Sequence, residues 1–230
     1  MRMIAALNAD IRFQFKQGFY LVYVLITIVY MVIINCLPEN LSGIIIPVIV
    51  FADPATIGFF FIGGMVMLEK EQGILQYLSV TPLRSKEYLL SKILSLGLIG
   101  SAAAVVITLL TSDSIVHWGA LVIGVLLSSI FFTLYGFLAT VKCKTINEYF
   151  IRMIPYLLFI ILPCFSLISF KNSMIFNIFP GVDGLKLIFE AFNPKLSNNS
   201  IFYIFYLAVA DVLMFLFVDR IFNNKILEVE

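Results

Sequence analysis

Six apolar stretches alternate with short polar segments along the chain. They lie at residues 19–36, 44–68, 89–111, 116–141, 153–170 and 201–218. Each is close to the roughly 20 residues that an α-helix needs to cross about 30 Å of hydrocarbon. The pattern therefore predicts an all-α integral membrane protein with six transmembrane helices.

The residues before the first apolar stretch have a different pattern. Ile4, Leu7, Ile11 and Phe15 recur at helical spacing, and charged or amide side chains occupy the rest of the turn. This amphipathic pattern predicts a helix over residues 1–18 that lies in the cytoplasmic interface. The alternative is that these residues simply extend the first span.

Composition agrees with a membrane protein. Hydrophobic residues make up 61% of the chain and charged residues only 13%. The balance of 15 Lys plus Arg against 14 Asp plus Glu gives no basic surface for nucleic acid. Since the spans leave no room for a separate catalytic domain of ordinary size, we expect one domain over residues 1–230.

The positive charges are unevenly distributed between the predicted loops. If the amino terminus is inside, only Lys171, Lys186 and Lys195 of the 15 cations fall in outer segments. Lys and Arg beside short loops are retained on the cytoplasmic side. We therefore expect a multi-pass protein of the plasma membrane with both termini in the cytoplasm.

Two carboxylates lie inside predicted spans. Asp53 precedes Pro54, a pair typical of a helix start, so we expect Asp53 to cap a helix that begins there and breaks the second span. A place in the transport path is the alternative for Asp53. Asp211 lies in the middle of the sixth stretch without such a local explanation. It is a candidate for the transport path, or for a hydrogen bond between helices.

Residues for enzyme chemistry or metal binding are sparse. Cys36, Cys143 and Cys164 are widely spaced, and His117 is the only histidine. Such a set cannot build a disulfide framework or a metal site. A membrane enzyme would need acids, bases or metal ligands clustered near one face, so we do not expect an enzyme.

A charged segment at residues 69–92 separates the second and third apolar stretches. It begins EKEQG, continues as a short apolar stripe, and reaches the turn sequence TPLR before EYLLSK opens the third stretch. Ser85 is a plausible cap for the new helix. We expect a short amphipathic helix across the cytoplasmic face between the two spans.

With this segment the chain resembles the permease subunit of type-2 ATP-binding-cassette exporters. The resemblance covers most of the chain, and the charged segment is its specific part. It implies a coupling helix within residues 69–88 that docks in a cleft of a separate cytosolic ATPase subunit. The residues implied at or beside that contact are Glu69, Glu71, Gly73, Thr81, Pro82, Leu83, Arg84 and Glu87.

The segment at residues 171–200 also resembles part of this family. The resemblance implies short extracellular or re-entrant helices that cap the transport pathway between spans five and six. The alternative is an amphipathic helix that lies in the interface without a gating role. Some similar members of the family are described as drug exporters, fluoroquinolones among them.

The source of energy follows from a missing motif. The sequence does not match GxxxxGK[ST], so we expect no cofactor in this chain, and ATP with Mg²⁺ in the partner subunit. Six spans are few to enclose a pathway, so a second permease chain, identical or homologous, is expected beside it in the lipid bilayer.

The expected function is outward movement of an apolar or amphipathic, drug-like or lipid-like substrate. An ion-coupled secondary transporter is one alternative. Such transporters usually contain several intramembrane ionisable groups and often internal repeats. This sequence offers only Asp53 and Asp211 as acids inside its predicted spans, and it has no detectable duplication. A non-transporting membrane scaffold is the other alternative, since it needs no special residues.

Overall fold

The computed structural model describes residues 2–75, 83–112, 116–141, 143–169, 178–193 and 199–227. Within these ranges the chain is helical and contains no strand. The helices are α1 (Arg2–Lys16), α2 (Phe19–Asn35), α3 (Glu39–Glu71), α4 (Ser85–Thr111), α5 (Trp118–Thr140), α6 (Ile146–Ser169), α7 (Pro180–Phe192) and α8 (Ser200–Leu227).

A sharp bend separates α1 from the first apolar helix. Gly18 joins α1 to α2 with a φ of 78°, a left-handed conformation that glycine adopts without steric cost. The two helices meet at 65°. The prediction of a distinct helix before the first apolar stretch is therefore confirmed, and its place in the interface stays a prediction.

Four helices of the described chain are long and apolar enough to cross a membrane. They lie in α4, α5, α6 and α8, and the bent pair of α1 and α2 supplies a fifth candidate. Helix α3 contributes a shorter apolar stretch, Gly43–Ala52. The all-helical class is thus confirmed, while the count of six spans stays a prediction.

The second apolar stretch forms one long helix. The sequence favoured a helix start at Asp53, but α3 begins at Glu39, after Pro38 in an extended conformation, and continues to Glu71. The capping prediction for Asp53 is therefore wrong. Packing explains the difference, because Val50 and Phe59 on either side of the Asp53–Pro54 pair are both buried against neighbouring helices. The side chains of residues 53–57 lie outside the described part.

The core consists of two large apolar clusters arranged around α5, named outer and inner after the predicted orientation of the chain, and a small third cluster of Tyr23 and Ala103. The outer cluster includes Val50, Phe51, Ile107, Leu121, Val125, Leu185 and Ile188. The inner cluster includes Phe59, Ile62, Leu89, Leu134, Phe137, Tyr149 and Val218. Glycines allow close approach within the inner cluster, since a Cβ on Gly136 would lie 2.8 Å from the carbonyl oxygen of Phe59. Burial of both clusters stabilises the bundle around its central helix.

Helix α7 runs antiparallel to α5 inside the bundle. At the outer end, the His117 N–H donates to the Ala191 carbonyl at 2.9 Å. At the other end, Gly184 packs against the Ser128 hydroxyl. Eleven residues of α5 separate these two contacts, which corresponds to about 16 Å along the helix axis. A short helix within residues 171–200 is therefore confirmed, and its re-entrant or interfacial place stays a prediction.

Candidate functional site

Three charged side chains form a buried cluster beside the loop that joins α3 to α4. Lys92 has no exposed surface. Its Nζ lies 2.6 Å from Glu69 Oε1 and 3.0 Å from Asp10 Oδ1. Because one ammonium meets two carboxylates, the three groups together carry a formal charge of −1. We call Asp10, Glu69 and Lys92 the inner ionic cluster.

Hydroxyl groups donate hydrogen bonds to the carboxylate oxygens that Lys92 does not contact. The Tyr88 hydroxyl donates to Glu69 Oε2 at 2.6 Å, and the Ser91 hydroxyl donates to Asp10 Oδ2 at 2.5 Å. All four carboxylate oxygens therefore have a donor. Buried charges are tolerated when they are paired and hydrogen-bonded in this way, and they become costly when one partner is removed.

The inner ionic cluster joins three helices at one point. Asp10 belongs to α1, Glu69 to the end of α3 and Lys92 to the second turn of α4. A further contact from α1 lies one turn deeper, where Gln14 Nε2 donates to Ser95 Oγ at 2.7 Å. The two ends of the intervening loop and the amino-terminal helix are therefore held as one unit.

The residues at the two ends of the loop differ in their exposure to solvent. Glu69 is buried, whereas Glu71 and Arg84 are exposed. Gly73 follows α3 with a φ of 72°, a conformation typical of a glycine after a helix end. Leu83 is half-buried and packs against the inner apolar cluster. Thr81 and Pro82 lie outside the described residues, as does most of the expected coupling helix.

Helix α4 begins differently from the prediction. Arg84 occupies the N-cap, and its N–H donates to Glu87 Oε2 at 3.0 Å. Ser85, the expected cap, is the first helical residue instead. Its hydroxyl donates to Asp219 Oδ1 on α8 at 3.0 Å, so a tertiary contact takes the group that a local cap would have used. This bond ties the inner end of α8 to the start of α4.

A second set of polar side chains is buried at the middle of α5 and of α8. It consists of Ser128, Ser129 and Thr133 on α5 together with Asp211 on α8, and we call it the polar layer. All four side chains are more than nine-tenths buried. Their side-chain oxygens find no hydrogen-bond partner in the part of the chain that the structure describes.

Asp211 is the most unusual member of the polar layer. The sequence favoured a hydrogen bond between Asp211 and a neighbouring helix, but neither carboxyl oxygen has such a partner among the described residues. That prediction is therefore wrong for the described chain. The packing of α8 explains the result, since the neighbours of Asp211 on its buried face are the apolar residues Leu207, Met214 and Val218.

The cysteines behave as ordinary side chains of the fold. All three are free. Cys143 is buried, its thiol donates to the Ala139 carbonyl at 3.1 Å, and burial raises the pKa of that thiol. In the described ranges no group of three metal-binding side chains comes together. Burial gives Cys143 and Cys164 a packing role, whereas Cys36 is exposed.

Sequence reasoning missed two members of the inner ionic cluster as site residues. Lys92 lies inside the predicted third span, where a cation needs a partner, and this is the signal that could have revealed it. Asp10 lies on the polar face of α1, opposite the exposed apolar residues Ile4 and Phe15. The polar face of α1 therefore packs against protein, which leaves Ile4 and Phe15 on its apolar face exposed.

These features define a multi-pass helical membrane protein with a charged loop anchored by buried ion pairs. The fluoroquinolones export permease protein family matches residues 1–230, the whole chain. The chain therefore belongs to this family, and the resemblance to a drug-exporter permease is confirmed. Membership of a permease family indicates a transport protein.

Two relatives support the assignment. Both are named fluoroquinolones export permease protein and come from two strains of Mycobacterium tuberculosis. Each is 28% identical to the chain over 162 residues, which cover 70% of this chain and 68% of the relative.

Proposed function

We propose that this chain is the transmembrane subunit of an ATP-driven exporter in a bacterial plasma membrane. It moves an amphipathic, drug-like cargo outward, while a separate cytosolic ATPase subunit binds ATP and Mg²⁺. The family membership of the whole chain carries this proposal. The anchored loop between α3 and α4 supports it, because it offers a place where an ATPase subunit can act.

Coupling starts at the exposed ends of that loop. Glu71 and Arg84 present opposite charges to the cytosol, and Glu87 lies beside Arg84 at the start of α4. Movement of the loop reaches α1 and α3 through Lys92, whose ammonium contacts both. It reaches α8 through Asp219, which accepts from Ser85. Displacement of this loop therefore moves four helices together.

Two permease chains, identical or homologous, complete the pathway in this proposal. Each contributes six spans with both termini in the cytoplasm, and α1 lies in the inner interface. The outward faces of α2 and α8 are apolar, as surfaces against lipid or a second chain must be. Exposed examples are Leu21, Leu25, Val32, Phe205, Leu213 and Phe217.

The cargo is taken to be amphipathic because the relatives are named for fluoroquinolone export. Such molecules combine a flat apolar ring system with charged groups. Asp211 and Asp53 are the acids proposed for the transport path, and the aromatic residues of the spans supply apolar surface. A lipid-like cargo has the same general chemistry and is the alternative within this proposal.

A proton-coupled transporter is the second candidate function. The observation that favours it is Asp211, since a buried acid without a partner is typical of proton relays in membranes. The two candidates differ in what stops export. Loss of ATP stops an ATP-driven exporter, whereas collapse of the proton gradient stops a proton-coupled one.

Co-purification of an ATPase subunit tests the main proposal. We expect a tagged wild-type chain to retain an ATP-binding-cassette ATPase, and Arg84→Glu to lose most of it together with drug resistance. Lys144→Glu is the matched control, because Lys144 is also an exposed cation in an inner loop. It should retain the ATPase.

Two outcomes would contradict the proposal. If no ATPase co-purifies with the wild-type chain, the energy source is not an ATP-binding-cassette subunit. If Glu71→Lys combined with Arg84→Glu retains the ATPase in full, the contact lies elsewhere than the loop ends.

A further inference from the structure

The position of Asp211 along α8 can be read from the contacts on either side of it. Toward the outer end, the Tyr206 hydroxyl donates to the Ile178 carbonyl, just before α7, at 2.7 Å. Toward the inner end, the rings of Phe222 and Phe137 on α5 lie 5.4 Å apart. Asp211 lies between these two levels. It therefore lies in the middle of α8, as the hydroxyls of the polar layer lie in the middle of α5.

The protein offers Asp211 no counter-charge from the described helices. Lys186 on α7 lies 3.3 Å from Asp183, and Lys92 lies in the inner ionic cluster. Lys70 donates to the Cys143 carbonyl at the inner end of the bundle. Each of these cations already contacts another group, and Lys186 also lies 5.3 Å from the centre of the Tyr203 ring on α8. No cation of the described helices pairs with Asp211, so we consider a proton or a bound molecule as the source of its positive charge.

An unpaired buried carboxylate is too costly to remain ionised in apolar surroundings. Without a bound molecule, the protein can keep Asp211 protonated at a modest cost in free energy. An ammonium group brought into the same place gains a charge-assisted contact that water does not screen. The site thus discriminates between a cationic and a neutral nitrogen at the same position.

We propose that Asp211 binds the basic nitrogen of the cargo. The inference rests on the proposed function and names its substrate class: amphipathic molecules with a basic amine, as in fluoroquinolones that carry an amine ring. A neutral amine takes the proton from the Asp211 carboxyl and becomes the ammonium. The carboxylate and the ammonium then form an ion pair, with no other reactant.

Direct binding of a fluorescent fluoroquinolone to the purified chain in lipid nanodiscs tests the inference. The probes are an amine-bearing compound and its N-acetylated form, which has nearly the same shape but no cationic nitrogen. We expect the wild type to bind the amine at least about tenfold more tightly than the acetylated compound, as close charge pairs typically require. Asp211→Asn should bind both compounds with equal affinity.

The outcomes separate this inference from the proposed function. If the wild type binds both compounds and prefers neither, Asp211 does not bind an amine, although the cargo class survives. The same conclusion follows if Asp211→Asn keeps the wild-type preference. If the wild type binds neither compound, the proposal of a drug-like cargo is wrong, and this inference is wrong as well. The comparison of the two compounds on the wild type needs no variant, so misfolding of Asp211→Asn cannot obscure it.

Discussion

Two regions of the bundle bury polar side chains, and the two regions differ in whether those side chains are hydrogen-bonded. In the inner ionic cluster, all carboxylate oxygens of Asp10 and Glu69 have donors, and Lys92 contacts both residues. In the polar layer, Asp211 and three hydroxyls lack partners within the described chain. Paired polar groups fix the arrangement of helices, whereas unpaired groups cost stability and call for another reason to be present.

The difference suggests that the two regions have different functions. In the proposed function, the inner end carries force from a loop into several helices, and paired charges make that junction stiff. The middle is proposed to bind and release a ligand, and unsatisfied polar groups would favour such binding. Natural proteins break the rule of polar satisfaction mainly at functional sites, which is the reason to read the polar layer as one.

Removal of the central cation should produce the largest effect. Lys92→Met leaves two buried carboxylates without their counter-ion, so we expect it to lower the free energy of unfolding by about 3–5 kcal/mol. The measurement is thermal unfolding of the purified chain in detergent, together with its yield. Lys16→Met is the matched control, because Lys16 is exposed on α1 and its loss should change stability by less than about 0.5 kcal/mol.

A rescue experiment sharpens the interpretation of Lys92→Met. Adding Asp10→Asn and Glu69→Gln removes the uncompensated charges, so the triple variant should recover much of the lost stability. Lys92→Met with wild-type stability would contradict the description of the cluster. A triple variant less stable than the single one would show that packing, and not charge, explains the loss.

A pair of serine variants should give smaller effects of opposite sign. Ser91→Ala removes a donor from the buried Asp10 carboxylate, so we expect a loss of about 1–3 kcal/mol. Ser129→Ala removes a buried hydroxyl that has no partner among the described residues, so stability should stay the same or rise by about 1 kcal/mol. Chemical denaturation of both variants in the same detergent measures the difference. Equal losses would mean that the Ser129 hydroxyl is satisfied in solution.

The sequence alone predicted most of the helices because hydrophobic stretches of membrane length are strong signals. The third and fourth apolar stretches, at 89–111 and 116–141, match α4 and α5 closely. The turn signal at Asp53 failed for a tertiary reason. Helix α3 continues through Pro54, where Val50 and Phe59 pack against neighbouring helices, and it begins after Pro38 instead.

The candidate site was harder to predict than the helices. Glu69 was chosen for its place in the charged segment, yet the structure turns its carboxylate inward to Lys92. The partner Asp10 lies 82 residues away from Lys92 in sequence, and no local pattern encodes such a pairing. Asp211 was recognised because an acid in the middle of a span is rare, although its lack of a described partner could be seen only in three dimensions.

The most direct test of the account compares two acids of the same type in one assay. Thermal unfolding midpoints of Asp10→Asn and Asp211→Asn are measured against the wild type in the same lipid nanodiscs. Asp10→Asn should lower the midpoint, because it weakens a paired buried charge. Asp211→Asn should leave the midpoint unchanged or raise it. A fall for Asp211→Asn as large as that for Asp10→Asn would contradict the distinction between a structural inner ionic cluster and a functional polar layer.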